Sequence, residues 1–170
     1  ARTVFDPAAG VGVFLAYSIL MNDTPQKLVG VELDHLTAKL AEELLQNVRA
    51  AVHREVEIEI NCMDFFEYLD SRKKSAVDSI IMNPPYGSIK FLTSDLTDIS
   101  TKADLSEKKR MQLGAQMRQS TLDRASRLRQ RFAPYGMAKG TLEYSKLFMA
   151  AALDLLSERG SVVAITPSSW

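Results

Sequence analysis

Five short apolar or alternating runs, separated by stretches of helical periodicity, constrain this chain more than any other feature. Arg2–Phe5, Leu28–Leu33, Val56–Ile60, Ala76–Met82 and Ser161–Thr166 read as strands. From Leu36, apolar residues recur at Leu40, Ala41, Leu44, Leu45, Val48 and Val52, which is one face of a helix. Val13–Met21 reads as a helix too. So does Leu142–Leu156, with Tyr144, Leu147, Phe148, Ala151 and Leu155 on one side and Gly160 as its stop. Strands alternating with helices predict an α/β fold with a mostly parallel, doubly wound sheet, because parallel neighbours need crossover connections. The 170 residues suffice for one domain with a real core, and 46% hydrophobic content excludes a disordered chain.

Composition closes several other routes. Cys62 is the one cysteine, so neither an intrachain disulfide framework nor a Cys-based zinc site is open. His35 and His53 are too few for a His-based metal site, and no metal is expected. No apolar run approaches the roughly 18 residues of a membrane span, and no signal peptide pattern opens the chain, so a cytoplasmic protein is expected. The chain starts at Ala1 and ends at Trp170 just after a strand, which reads as a piece of a longer protein.

Lys plus Arg equals Asp plus Glu at 21 each, which excludes a uniformly basic nucleic-acid binder but not a basic patch. The charge is uneven. Ser88–Gly140, 53 residues without a convincing strand, holds eleven Lys/Arg against five acids and carries +6, leaving −6 elsewhere. Asp104 and Glu107 have capping-box spacing, which predicts a helix from about Leu105. Leu122, Ala125, Leu128 and Phe132 supply its apolar stripe. The segment fits a solvated surface hairpin and a nucleic-acid footprint equally well.

Four motifs sit where strands end. Asp6-Pro7-Ala8-Ala9-Gly10-Val11-Gly12 lies between a strand and a helix, where glycines let backbone N–H groups approach a ligand. No Gly-Lys-Ser/Thr follows, so it is not a P-loop, and Leu15 holds the third glycine position of a dinucleotide fingerprint. A tight turn without a ligand remains open. Glu32 ends the second strand 20 residues after Gly12, which suits a carboxylate accepting from ribose hydroxyls. Leu33 beside it can pack on a purine. Asp64 follows the third strand; it could accept from an adenine amine with Phe65 against the ring, but alone it reads better as a helix N-cap before core aromatics.

Asn83-Pro84-Pro85-Tyr86 is the most specific stretch. Two prolines after a buried strand stop the sheet and supply carbonyls without N–H donors. The Asn83 oxygen adds an acceptor and Tyr86 a flat surface. That set suits a planar ligand bearing an NH₂ group, whose nitrogen lone pair becomes available when both N–H groups are held.

These residues resemble the N6-adenine DNA methyltransferases of the gamma class, which use S-adenosylmethionine and include restriction–modification enzymes. DPAAGVG is similar to their cofactor loop, Glu32 and Asp64-Phe65 follow in the family order, and NPPY resembles their catalytic motif. LEYSKLFMAAALDLLSERGSVVAITPSSW resembles the helix, strand and polar turn that come next. The resemblance implies a Rossmann-like methyltransferase fold, truncated at both ends. Residues 1–170 would be a partial catalytic domain, with 88–140 a basic, helical insertion in it. It implies cofactor contacts from Asp6, Ala8, Gly10, Gly12, Glu32, Leu33, Asp64 and Phe65, with Leu33 and Phe65 sandwiching the adenine. Asn83, Pro84, Pro85 and Tyr86 would receive the target base. The implied partners are double-stranded DNA with a flipped adenine and a specificity subunit or fused recognition domain, in a prokaryotic cytoplasm at the nucleoid. The motifs also admit an RNA adenine or protein glutamine N-methyltransferase, or a non-catalytic DNA-binding module of the same fold.

Overall fold

The computed structural model describes residues 2–21, 25–71, 76–89 and 106–166. Along the chain these form β1 (Thr3–Asp6), α1 (Val13–Leu20), β2 (Lys27–Glu32), α2 (His35–Ala51), β3 (Glu57–Cys62), α3 (Phe65–Ser71) and β4 (Val77–Met82). Then come α4 (Glu107–Arg131), a 3₁₀ turn (Ala133–Tyr135), α5 (Tyr144–Leu155) and β5 (Leu156–Ala164). Two compact units result: Ala1–Pro85 with Ala151–Trp170, and Tyr86–Ala150.

The first unit is built on one parallel sheet of order β3-β2-β1-β4-β5. The chain winds outward from β1 to β3, then returns past β1 to β4. Right-handed crossovers therefore set α1 and α2 on one face and α3 on the other. The packing follows: Val4 joins Leu15, Ile19, Leu28 and Leu45 in the core under α1 and α2. Phe5, the next residue, stacks on Tyr68 of α3 at 5.6 Å between ring centroids. Covered on both faces, β1 and β2 are buried without alternation, from Val4 to Asp6 and from Leu28 to Val31. At the edge, β3 alternates. Ile58 and Ile60 pack against the core, while Glu57 and Glu59 each sit 2.7 Å from the Lys27 ammonium and hold its pKa above the usual lysine range.

One boundary differs from expectation. The last strand starts at Leu156, directly after α5, not at Ser161. Its register jumps from Val77↔Leu156 to Ser79↔Ser161, so the intervening residues of β5 form a bulge. Gly160 serves that bulge and does not end the helix: a Cβ there would stand 2.7 Å from Leu156 Cγ.

In the second unit, an antiparallel bridge joins Ser88 to Glu143, and the Tyr144 N–H donates to Gly87 O at 2.9 Å. Helix α4 is 25 residues long, with Ser106 at its N-cap; Asp104 lies outside the described residues. Ala125, Leu128 and Phe132 are buried as expected, but Leu122 is 55% exposed. Three residues fall about 60° short of a full helical turn. A run spaced 122, 125, 128 therefore drifts around the cylinder and carries Leu122 out of the stripe. No described helix is long and apolar enough to cross a membrane, and no described residues group as metal ligands.

Candidate active site at the carboxyl edge of the sheet

All strands of the first unit run the same way, so the segments after β1, β2, β3 and β4 emerge at one edge. At the point where strand order reverses, helices leave to opposite faces and open a crevice, the usual ligand position in such sheets. The glycine loop lies there. The Ala9 N–H donates to Val31 O at 2.9 Å and the Gly12 N–H to Ala9 O at 2.8 Å, folding the loop back onto β2. Gly12 has φ +82°, and a Cβ there would stand 3.2 Å from the Ala41 Cβ of α2, so conformation and space both demand glycine.

Gly30 is a position the sequence reading passed over. A Cβ on it would meet Ile60 Cδ1 at 2.8 Å and Ala9 Cβ at 3.0 Å. The loop can seat on the sheet because β2 has no side chain there. A glycine inside an apolar strand was the available signal.

Glu32 ties this edge together. One carboxylate oxygen accepts from the Gly10 N–H and the other from the Asp34 N–H, both at 2.9 Å. The glycine loop and the start of α2 thus hang from one side chain. Asp34 in turn caps α2 by accepting from the Thr37 N–H at 2.8 Å, which holds its carboxyl below the usual carboxylate range. Leu33 stands 71% exposed between them.

Asp6, at the end of β1, has no exposed surface. Its Oδ1 accepts from the Ala8 N–H at 3.0 Å, while Oδ2 has no hydrogen-bond partner among the described residues. Burial, helped by the nearby Glu32 charge, pushes its pKa up to about 7. A buried acid with an orphaned oxygen is ready for a donor or a cation brought by a ligand.

Asp64 caps α3, as its residue type alone suggested: Oδ1 accepts from the Phe66 N–H at 2.9 Å. Phe65 is 3% exposed, with its ring centroid 6.1 Å from Phe5 and 5.5 Å from Phe66. It is a core residue whose ring is turned into the protein, whereas Leu33 faces outward. After β4, Asn83 and Pro85 are exposed and Pro84 is buried. The Ile165 N–H donates to Met82 O at 3.0 Å, anchoring the start of that turn to β5. Tyr86, 56% exposed, opens the second unit.

Acids gathered at a strand-end edge, a glycine loop and an Asn-Pro-Pro turn invite comparison with known proteins. The sequence model for the Eco57I restriction-modification methylase family matches residues 16–170. The chain belongs to that family. The match begins after the glycine loop, so the geometry of the loop is independent of it. No curated protein matches the sequence. Among solved structures, the type I restriction-modification system methyltransferase subunit from Streptococcus thermophilus is similar, with a TM-score of 0.57 and 18% identity. The likeness covers 96% of this chain and 29% of that one, so this methylase-family chain spans less than a third of that subunit. At this identity the likeness establishes the fold, a Rossmann-like methyltransferase sheet.

Proposed function

We propose that the chain carries the cofactor and target-base sites of a DNA methyltransferase that modifies N6 of adenine, using S-adenosylmethionine, in a restriction–modification system. The observation that carries this reading is Glu32 holding Gly10 and Asp34 at once, at the edge where Asp6, Asp64 and Asn83 also emerge. Family membership supports it.

The residues fit the cofactor. S-adenosylmethionine bears a sulfonium and an ammonium, and when bound it supplies the methyl group. The orphaned Asp6 oxygen is an acceptor for a cationic N–H donor, and such a cation would relieve the repulsion between Asp6 and Glu32. Ala8, Gly10 and Gly12 leave room for the methionine end. Glu32 has lone pairs left for ribose hydroxyls, and Asp64 would accept from the adenine amine. Leu33 packs on the adenine face, with Phe65 supporting from below.

The target adenine must leave the duplex, because its amino group is otherwise paired and stacked. The Asn83 side-chain oxygen and the Pro84 carbonyl accept its two N–H bonds, which frees the nitrogen lone pair. Pro85 stiffens the turn and Tyr86 stacks on the base. These residues position and stabilise charge; no covalent enzyme intermediate is needed. A specificity subunit or recognition domain would select the sequence.

Calorimetric titration with S-adenosylmethionine tests the cofactor, and nucleoside mass analysis of treated duplex DNA tests the base. Saturable binding, weakened by about 1–3 kcal/mol in Glu32→Ala, is expected, together with N6-methyladenine in the digest. Absence of binding overturns the cofactor assignment. Methyl groups found on cytosine, RNA or glutamine overturn the substrate assignment.

A further inference from the structure

The methyltransferase edge leaves the strongest charge asymmetry of the chain unused. Helix α4 carries eight Lys/Arg against Glu107 and Asp123, a net +6 on 25 residues, while the whole chain is neutral. Its buried side is small: Gly114, Ala125 and Leu128. Lys108, Lys109, Arg118 and Arg127 are exposed and have no ion pair among the described residues. Arg118, about two and a half turns from both Lys109 and Arg127, lies on the opposite side of the helix from them; the excess positive charge along α4 raises the energy of the free protein, and a polyanion relieves it.

The outward face has a definite layout. Lys109 and Arg127 are 18 residues apart, five whole turns, so they share a face and stand about 27 Å apart along the axis. Gln112, Gln116 and Ser120 lie between them on that face, exposed and able to hydrogen-bond. The one acid among them, Asp123, sits a turn from Arg127, yet its Oδ1 accepts from Gln119 Nε2 at 2.8 Å. The whole helix is about 37 Å long, close to one turn of B-DNA.

We propose that this face of α4 docks against the phosphates of duplex DNA. The occupant follows from what the face offers. It has no aromatic residue, so it lacks the stacking platform by which single strands and RNA loops are held. B-form DNA admits a helix to its wide major groove, whereas the deep, narrow groove of duplex RNA does not. The inference rests on the DNA reading above for its partner, but on different residues.

The test is the salt dependence of binding of the full chain to a labelled duplex of arbitrary sequence, read by fluorescence anisotropy. Each lost phosphate contact flattens the slope of log affinity against log salt by about 0.9. The Lys109→Gln/Arg127→Gln double variant should flatten it by about 1.8 and weaken binding at low salt. Asp123→Asn should tighten binding, a change of opposite sign that misfolding does not produce. Lys39→Gln, on α2, should leave the slope unchanged. S-adenosylmethionine titration of the double variant should match the wild type. That control separates the two readings, since failure of the cofactor assignment abolishes the titration and leaves the slope change intact. An unchanged slope in the double variant overturns the docking surface. So does wild-type chain that binds the cofactor but no duplex, which would turn α4 toward an acidic protein partner. Tighter binding of a matched RNA duplex overturns the choice of DNA.

Discussion

Asp6 shows how far one residue departs from its ordinary chemistry when a sheet buries it. Its carboxyl pKa rises from 3.8 to about 7. The folded protein therefore holds that proton more tightly than the unfolded chain does. The resulting stability is complete below the unfolded pKa and is lost as pH rises through the folded one. The span corresponds to roughly 4 kcal/mol at most. Urea titrations of wild type and Asp6→Asn, compared from about pH 4 to about pH 7.5, should show the wild type losing stability relative to the variant. A constant difference between the two would contradict the assignment. Glu32 was legible as a strand-end acid, because it closes the second apolar run 20 residues after Gly12. Its double hold on Gly10 and Asp34 was not, since that depends on the loop folding back onto β2.

Among the elements, α3 and α4 respond to substitution for local reasons. Asp64 both caps α3 and belongs to the proposed cofactor set, so its roles need separating. Asp64→Ala should cost about 1 kcal/mol in urea unfolding, whereas Asp64→Asn, which keeps a capping oxygen, should cost little. A variant pair of equal stability would deny the cap its weight. On α4, the exposed Leu122 should tolerate Glu, while Leu128→Ala removes a buried side chain and should cost about 2–4 kcal/mol. Equal Tm shifts for the two would restore Leu122 to the buried stripe. The stripe misled because residues three apart look like a face in the sequence but rotate steadily around the cylinder.

At the scale of the whole molecule, protection from hydrogen exchange should follow burial. The amides of β1, β2 and β4 lie in the sheet interior, with Phe5, Leu28 and Ile80 fully buried. They should exchange slowest. Helix α4, which buries three residues out of 25, should open at much lower free energy and exchange first. Mass spectrometry after a timed exchange would show this, and equal protection across α4 and β1 would refute it. The same contrast bears on function, because an element held by few contacts is free to adjust to a partner.

The order of strands and helices, the crowding of motifs at strand ends and the basic segment were all determined by the sequence itself. Periodicity and turn residues are local signals, and a parallel sheet follows from their alternation. Tertiary structure alone decided the rest. Gly30 is required because Ile60 and Ala9 converge on it from other elements. The last strand began at Leu156 because a bulge lets β5 pair with β4 across an irregular register. Asp6 acquired its shifted proton affinity because neighbours distant in sequence exclude water from it. Each of these is a long-range packing outcome, set by which atoms fill the space around a residue, and no local pattern of residues encodes that.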